Sequence, residues 1–180
     1  MQRVLCLRLP NWPRQRASLA RPAREAGRKR TDPLSAEESR SDPFADLALL
    51  KRLARWCRRY SPIVGLEEAD APEALLFDIT GCAHLFGGEE SLARLVLREI
   101  TRLGLTAHVA IADTIGAAWA TTFLAARRKH RSPVVIPAGK QALALRRLPV
   151  EALRLGSGAA ESLRELGLCT IGQLSQLPDG

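Results

Sequence analysis

The sequence predicts an α+β fold of the ferredoxin-like, split βαβ type, followed by a small all-helical unit. The first observation is the order of the periodic segments, which reads β, α, β, β, α, β through residue 112. The second is the size, because 180 residues suffice for one domain, or for one domain and the beginning of another. The third is a change after Pro149 to short apolar segments separated by glycines. Together these observations predict an antiparallel sheet with helices on one face and a helical C-terminal unit.

The predicted strands are short apolar runs that end at proline, glycine or acidic residues. Segment 3–9 alternates aliphatic residues and is followed by a proline, which cannot continue a sheet. Segments 63–66 and 74–79 flank an acidic turn and predict a hairpin. Segments 107–112 and 134–136 predict a fourth and a fifth strand.

Three longer helices are predicted from apolar residues at helical spacing. The first begins at Pro43, with Asp42 as its N-cap, and ends near Arg59 before a Ser-Pro pair. Segment 89–103 predicts a second helix that ends at a glycine, and segment 114–128 predicts a third, rich in small residues. The first helix also has a strongly basic face, which predicts either a solvated surface or a phosphate contact.

Four segments follow from these elements and from the composition between them. Residues 1–13 hold the first strand, and residues 14–43 are polar and basic without a sustained apolar period, which predicts a loop or a disordered arm. Residues 44–148 hold the remainder of the sheet domain, and residues 149–180 hold the helical unit. The last residues, LPDG, have the character of a linker. We therefore expect the chain to be a fragment of a longer protein.

The composition is that of a globular protein with an excess of positive charge. Of the residues, 46% are hydrophobic and 26% charged, and no apolar run approaches the roughly 20 residues of a membrane span. The N-terminus has no signal-peptide pattern, so we expect a cytoplasmic protein without membrane contact. Residues 1–60 hold 15 Lys and Arg against 6 Asp and Glu, a charge of +9, whereas the remaining residues sum to −1, so this segment accounts for the whole net charge of +8. Arginine dominates, which favours a phosphate-bearing partner such as DNA.

The four cysteines are far apart and form no Cys-x-x-Cys pair. This spacing favours reduced thiols over a disulfide framework or a zinc site. Cys82 and His84 could share a metal ion, but no second close pair completes a tetrahedral site. We therefore expect no metal site and no cofactor.

Three segments together resemble a known family of DNA polymerases. They are RVLCLRLPNWP at 3–13, RYSPIVGLEE and LLFDITGCAHLFGGEE within 59–90, and GLTAHVAIADTIGAAWA at 104–120. This set is similar to the Y-family translesion DNA polymerases, most closely to their ImuB-type, noncatalytic branch. The resemblance implies a polymerase palm, followed by the beginning of a thumb whose helix-hairpin-helix-like element grips the DNA backbone.

The resemblance also implies that the catalytic metal site is degenerate. Arg8 stands where the family has its first metal-binding aspartate. At the later acidic pair only Glu73 keeps a carboxylate, and Ala74 stands where the family has glutamate. Nucleotidyl transfer uses two divalent ions held by carboxylates, and a guanidinium supplies neither a lone pair nor negative charge. We therefore predict that the chain is not an enzyme.

Other positions compared with the family point the same way. The aromatic pair that gates the incoming sugar is matched only by Trp12 and Pro13, and the triphosphate-binding lysine is matched by Ile115. The segment 14–46 is considerably shorter than the one that builds the family's fingers subdomain. Most of the fingers are therefore expected to be missing.

The favoured function is that of a noncatalytic, DNA-binding accessory factor in DNA repair and mutagenic translesion synthesis. The resemblance implies a sliding clamp, a RecA-like accessory protein and an error-prone replicative-type polymerase as partners of the full-length protein. One alternative is an active translesion polymerase with metal ligands drawn from Asp70, Glu73 and Asp78. Another is a basic ferredoxin-like RNA-binding module, although the predicted strands lack paired aromatic residues for base stacking.

The candidate DNA contacts lie in two places. A glycine-rich turn in the helical unit could present backbone N–H groups to a phosphate at the start of the following helix. A basic cluster at the end of the third helix could add cations, although such residues also complement the helix dipole. The residues concerned are Arg154, Gly156, Ser157 and Gly158 in the turn, and Arg127, Arg128 and Lys129 in the cluster.

Overall fold

Within the residues described by the computed structural model, namely 2–19, 43–127, 132–155 and 158–177, five strands form one sheet. The order across the sheet is β2-β3-β1-β4-β5, and every pair is antiparallel except β4 with β5. The first four strands have the ferredoxin-like order, which confirms the predicted fold class. The strands are β1 (Val4–Arg8), β2 (Ile63–Leu66), β3 (Ala74–Asp78), β4 (His108–Ala112) and β5 (Val134–Val135).

The three longer helices lie within a few residues of their predicted bounds, and two further helices, Trp12–Leu19 and Gln141–Leu145, are additions to the prediction. Two short 3-10 helices accompany them, at Ala83–Phe86 and Val150–Ala152. The α-helices are α1 (Trp12–Leu19), α2 (Pro43–Cys57), α3 (Glu89–Arg102), α4 (Ile115–Arg127), α5 (Gln141–Leu145), α6 (Ala159–Glu165) and α7 (Ile171–Leu174).

Helix α1 corrects the predicted loop over residues 14–19. Trp12, which is 1% exposed, donates its indole N–H to the carbonyl of Asp46 at 3.0 Å. The Gln15 side chain donates to the Pro10 carbonyl at 2.6 Å and accepts from the Thr106 N–H at 2.6 Å. The helix is thus held by two anchoring side chains rather than by an apolar stripe, so its sequence has no helical periodicity. The rest of the predicted loop, residues 20–42, lies outside the described residues.

The sheet is covered on both faces, which corrects the prediction of helices on one face only. Because side chains alternate along a strand, Leu5 and Leu7 of β1 enter the core that includes buried residues of α2 and α3. Val4 and Cys6 enter a second core with the small residues of α4, such as Ala118. Helix α4 therefore packs on the opposite face of the sheet from α2 and α3.

Arg3 lies at the edge of this second core, where it forms ion pairs with two acidic residues. Its guanidinium donates to both carboxylate oxygens of Glu89 at 2.6 and 2.5 Å. It also donates to Asp113 at 2.6 Å and to the carbonyl of Ile136 at 2.7 Å. The Gly139 N–H donates to the other oxygen of Asp113 at 2.8 Å. That backbone hydrogen bond lowers the pKa of Asp113 below its usual value, and the hydrogen bond from Arg3 lowers it further.

The helical C-terminal unit packs against the outer side of α4. Leu148 and Ala152 form a small core with Ala120. At α7, Thr170 and Gln173 form a capping box, which satisfies the first backbone N–H groups of that helix. Gly172 approaches the main chain closely, since a Cβ there would lie 2.7 Å from a backbone oxygen. No helix among the described residues is long and apolar enough to cross a membrane.

All four cysteines are free thiols, as the sequence predicts. Cys6 and Cys57 are buried, whereas Cys82 is half-buried and Cys169 is exposed. Burial raises the pKa of the Cys57 thiol to about 12 and raises that of Cys6 as well. The two buried thiols are therefore protonated, unreactive members of the core.

Candidate functional site

The candidate site lies where β1 ends on the α4 side of the sheet. In the strand register, Arg8 is opposite Ala74 on β3 and opposite His108 on β4. Directly opposed residues share a face, so these three side chains form one row. Arg8 Nε donates to the carboxylate of Glu73 at 2.6 Å, and the side chains are 19% and 27% exposed. The structure thus brings together Arg8, Glu73 and Ala74, which the sequence singled out as the degenerate metal positions.

Two aromatic rings of α4 hold the Arg8 guanidinium. Its central carbon lies 5.0 Å from the ring centroid of Trp119 and 4.7 Å from that of Phe123. The two rings are four residues apart on the helix, and their centroids are 5.3 Å apart. A guanidinium over aromatic faces is attracted by their negative π-clouds. Arg8 is therefore fixed by three partners, one anionic and two aromatic.

This set of donors does not fit a pair of divalent cations. Mg²⁺ requires oxygen ligands in near-octahedral geometry, and paired ions need several carboxylates to offset their charge. Of the three positions, Arg8 brings a positive charge and Ala74 brings no ligand. Glu73 is engaged by Arg8. Within the described part of the chain, no three His, Cys, Asp or Glu side chains cluster as a metal site would require.

A second ion pair lies behind Glu73 and involves a predicted DNA contact. The buried carboxylate of Glu67 accepts from the Glu73 N–H at 3.4 Å and lies 3.5 Å from Arg154 Nε. Arg154 also donates to the carbonyl of Glu68 at 3.0 Å. The structure thus directs Arg154 to the β2–β3 turn, and this contact ties the helical unit to the sheet.

Of the three carboxylates considered for an alternative metal site, Asp78 lies at the far end of β3, whereas Asp70 lies in the β2–β3 turn with Glu73. Asp78 is opposite Val4, whereas Ala74 is opposite Arg8. The Thr80 backbone N–H donates to the Asp78 carboxylate at 2.9 Å. Two hydrogen bonds from Thr80 lower the pKa of Asp78, and the one from the side chain has a larger effect than the one from the backbone N–H. Asp78 therefore closes the turn that follows β3.

The remaining predicted DNA contacts are only partly described. Arg127 is exposed at the end of α4. Gly158 is the N-cap of α6 with a φ of 89°, a left-handed conformation that favours glycine. The other four residues lie outside the described part of the chain, namely Arg128, Lys129, Gly156 and Ser157.

The sequence did not identify the residues that surround Arg8. His108 belongs to a predicted strand, and Trp119 and Phe123 belong to a predicted helix, but nothing local assigns them to this site. One signal was available, since Trp119 and Phe123 are aromatic residues spaced four apart in a helix otherwise rich in alanine. A cation at the end of a buried apolar strand also needs partners, and Arg8 is such a cation.

Comparison with known sequences gives relatives that bear on this site. Protein ImuB from Caulobacter vibrioides (strain NA1000 / CB15N) is 43% identical over 137 residues, which is 76% of this chain and 28% of that protein. DNA polymerase IV from Dehalococcoides mccartyi (strain CBDB1) is 32% identical over 121 residues, which is 66% of this chain and 30% of that protein. The chain thus spans less than a third of the length of these curated relatives. No protein-family model matches it.

Solved structures share the fold over nearly the whole chain. A DinB family error-prone DNA polymerase from Sulfolobus solfataricus superposes with a TM-score of 0.64 at 17% identity, covering 98% of this chain and 60% of that one. An insertion ternary complex of Dbh DNA polymerase gives a TM-score of 0.62 at 15% identity, covering 98% of this chain and 61% of that one. The sheet and its helices are therefore those of a polymerase palm. The chain is a homologue of the Y-family DNA polymerases and is ImuB-like over part of its length.

Proposed function

We propose that the chain is a noncatalytic Y-family homologue that acts as a DNA-binding accessory factor in DNA repair and mutagenic translesion synthesis. The observation that carries this proposal is the Arg8–Glu73 ion pair, clamped by Trp119 and Phe123. It occupies the positions at which the family's carboxylates are expected. A cation paired with the one carboxylate among these three positions opposes metal binding instead of supporting it.

An active polymerase with displaced ligands has less support from the geometry. Ala74 and Asp78 mark the two ends of β3, so four rises of about 3.3 Å place them roughly 13 Å apart. Paired catalytic ions lie about 3.5–4 Å apart, and their ligands must converge on that small volume. Glu73 and Asp78 are therefore too far apart to share such a site.

The proposed DNA contact is through the phosphate backbone. The similar sequences and structures include DNA polymerases. This chain itself carries a net charge of +8, with arginine in large excess over lysine. Arginine binds phosphate oxygens through paired hydrogen bonds that carry no base information. DNA binding by this chain should thus be independent of sequence.

We expect the purified chain to fail in primer extension with Mg²⁺ or Mn²⁺ and all four dNTPs. The physical reason is that Arg8 and Ala74 replace carboxylates that the two-ion mechanism needs. The measurement is the length of a labelled primer on a primer-template duplex, resolved on a denaturing gel. Template-dependent extension that is lost on Glu73→Gln would show that the noncatalytic assignment is wrong.

The combined variant Arg8→Asp with Ala74→Glu is the companion to that assay. We expect it to remain inactive, because residues 14–46 are shorter than the family's fingers segment and nucleotide binding would still be incomplete. Activity in the double variant would contradict the proposed loss of the fingers. It would leave the noncatalytic assignment of the natural sequence intact.

DNA binding is expected to be weak and steeply salt-dependent. The paired change Arg127→Ala with Arg128→Ala should weaken binding to two unrelated duplexes equally and should lower the salt slope by about 1–2. The matched control is Arg98→Ala with Arg102→Ala, which removes two exposed arginines of α3 that pair with Glu99. Fluorescence anisotropy over a salt series gives both the affinity for each duplex and the salt slope. A flat salt response, or a strong preference for one duplex, would refute backbone binding.

The proposed partners of the full-length protein are a sliding clamp, a RecA-like accessory protein and an error-prone replicative-type polymerase. They come from the family resemblance alone and fit a protein that organises synthesis by another enzyme. A cytoplasmic location is likewise a prediction from the sequence. Co-purification of the full-length protein with each partner would test these assignments separately from DNA binding.

A further inference from the structure

A groove runs between helix α2 and the outer edge of the sheet, away from the Arg8 site. Its volume is about 700 Å³. Apolar atoms from both elements line it, including Ala54 of α2 and Val64 and Leu66 of β2. Three basic side chains line it as well, namely Lys51, Arg55 and Arg58. The groove therefore combines an apolar floor with a cationic rim.

The β2 side of this groove is a free sheet edge. Strand β2 is the terminal strand of the sheet, and no described strand lies beyond it. The Glu67 N–H donates to the Ala74 carbonyl of β3 at 3.0 Å. This hydrogen bond shows which residues of β2 direct their backbone N–H and C=O groups toward β3. Because inward and outward groups alternate in an antiparallel ladder, Val64 and Leu66 direct their N–H and C=O groups outward. The strand sequence IVGL has no charged residue to discourage pairing along this edge.

The basic rim is arranged along the same edge. Lys51, Arg55 and Arg58 follow one another at spacings of four and three residues, so they lie on one side of α2 and its end. All three are exposed, and none takes part in an ion pair among the described residues. A row of unpaired cations beside outward backbone groups is complementary to an acidic chain in extended conformation.

We propose that this groove binds an acidic peptide segment of a partner protein, which adds to β2 as a further strand. The peptide backbone pairs with the outward groups of Val64 and Leu66. Alternate acidic side chains of the peptide lie on the α2 side, where they contact Lys51, Arg55 and Arg58. Such strand addition obtains affinity from main-chain hydrogen bonds and specificity from alternate side chains.

A nucleic acid fits the groove less well than a peptide. The described lining contains no aromatic side chain on which a base could stack, and stacking dominates the binding of single strands. The apolar floor offers nothing to a phosphate, whereas it can accept aliphatic parts of a peptide. The spacing of outward N–H and C=O groups along β2 matches another peptide backbone.

The probe for the test is a capped, fluorescein-labelled heptapeptide that alternates glutamate and valine. In fluorescence anisotropy at about 0.15 M salt, where exposed charges are screened beyond about 8 Å, we expect saturable binding with a Kd below about 1 mM. Arg55→Glu should raise the Kd at least tenfold. The matched control is Arg52→Glu, on an exposed residue of the same helix outside the groove, which should change the Kd less than twofold.

Backbone pairing is tested with two N-methylated forms of the peptide. One carries methyl groups on the glutamate amides and the other carries them on the valine amides. Only one set of amides faces β2 in an added strand, so one form should lose binding and the other should keep it. The form that loses binding also reports whether the added strand is antiparallel or parallel.

Several results would overturn the proposal. They are a Kd above about 1 mM, equal effects of Arg55→Glu and Arg52→Glu, or equal effects of the two methylated peptides. Displacement of the peptide by a DNA duplex at equal concentration would assign the groove to nucleic acid instead. Failure here leaves the proposed noncatalytic function untouched, because the groove lies on the other side of the sheet from Arg8.

Discussion

Replacing Arg8 by aspartate, the residue type that the family resemblance implies there, should destabilise the protein by about 3 kcal/mol. The change removes the cation from between Trp119 and Phe123 and places a second carboxylate next to Glu73. Two partly buried carboxylates repel each other, and the aromatic rings favour a cation over an anion. The unfolding free energy from urea titration, monitored by circular dichroism, is the measurement.

The control for this prediction exchanges the charged pair for neutral groups of similar shape. Arg8→Met with Glu73→Gln keeps an aliphatic stem under the α4 rings and leaves no unpaired charge. We expect its stability to lie within about 1 kcal/mol of wild type. If Arg8→Asp were as stable as this double variant, the ion pair and its aromatic clamp would not be what holds Arg8 in place.

Replacing Arg3 should lower the free energy of unfolding by a similar amount. Arg3→Met leaves the carboxylates of Glu89 and Asp113 close together without their common cation. Breaking a buried ion pair on one side costs roughly 3 kcal/mol, the lower end of the usual range, because Glu89 retains some solvent contact. Arg98→Met, on an exposed arginine of α3, is the control and should have little effect. Urea unfolding of the two variants at neutral pH gives the comparison.

The same network sets a dependence of stability on acid pH. The pKa of Asp113 is lowered in the folded protein, so its ionised form stabilises the fold above its usual pKa of about 3.9. That contribution is lost as the pH falls through the lowered folded value. The wild type should therefore lose stability below about pH 4 more steeply than Asp113→Asn does. Parallel curves for the two proteins would show that Asp113 does not contribute.

The fold could be predicted from the sequence because its central elements have strong local patterns. The apolar runs of β1, β3 and β4 and the stripes of α2 and α3 identify a split βαβ order without knowledge of contacts. The face on which α4 packs could not be predicted, since this helix is rich in small apolar residues and has no polar side to orient it. Helix α1 was missed because Trp12 and Gln15 hold it through single long-range contacts.

The candidate site was predicted in its positions but not in its geometry. The resemblance pointed to Arg8, Glu73 and Ala74, and the strand register places all three at one point of the sheet. The rings of Trp119 and Phe123 come from a helix more than a hundred residues later in the chain. No local pattern connects a strand residue to a ring at that separation, so the clamp becomes visible only in three dimensions.

The position of β1 at the centre of the sheet has a consequence for synthesis on the ribosome. This strand is translated before both of its neighbours, since β3 and β4 begin only at Ala74 and His108. At about 5–20 residues per second, roughly 100 further residues take about 5–20 s to translate. Until β3 is made the apolar run VLCL of the nascent chain has no strand to pair with, and until β4 follows, one edge of β1 stays unpaired. The sheet around β1 is therefore complete only after β4 leaves the exit tunnel.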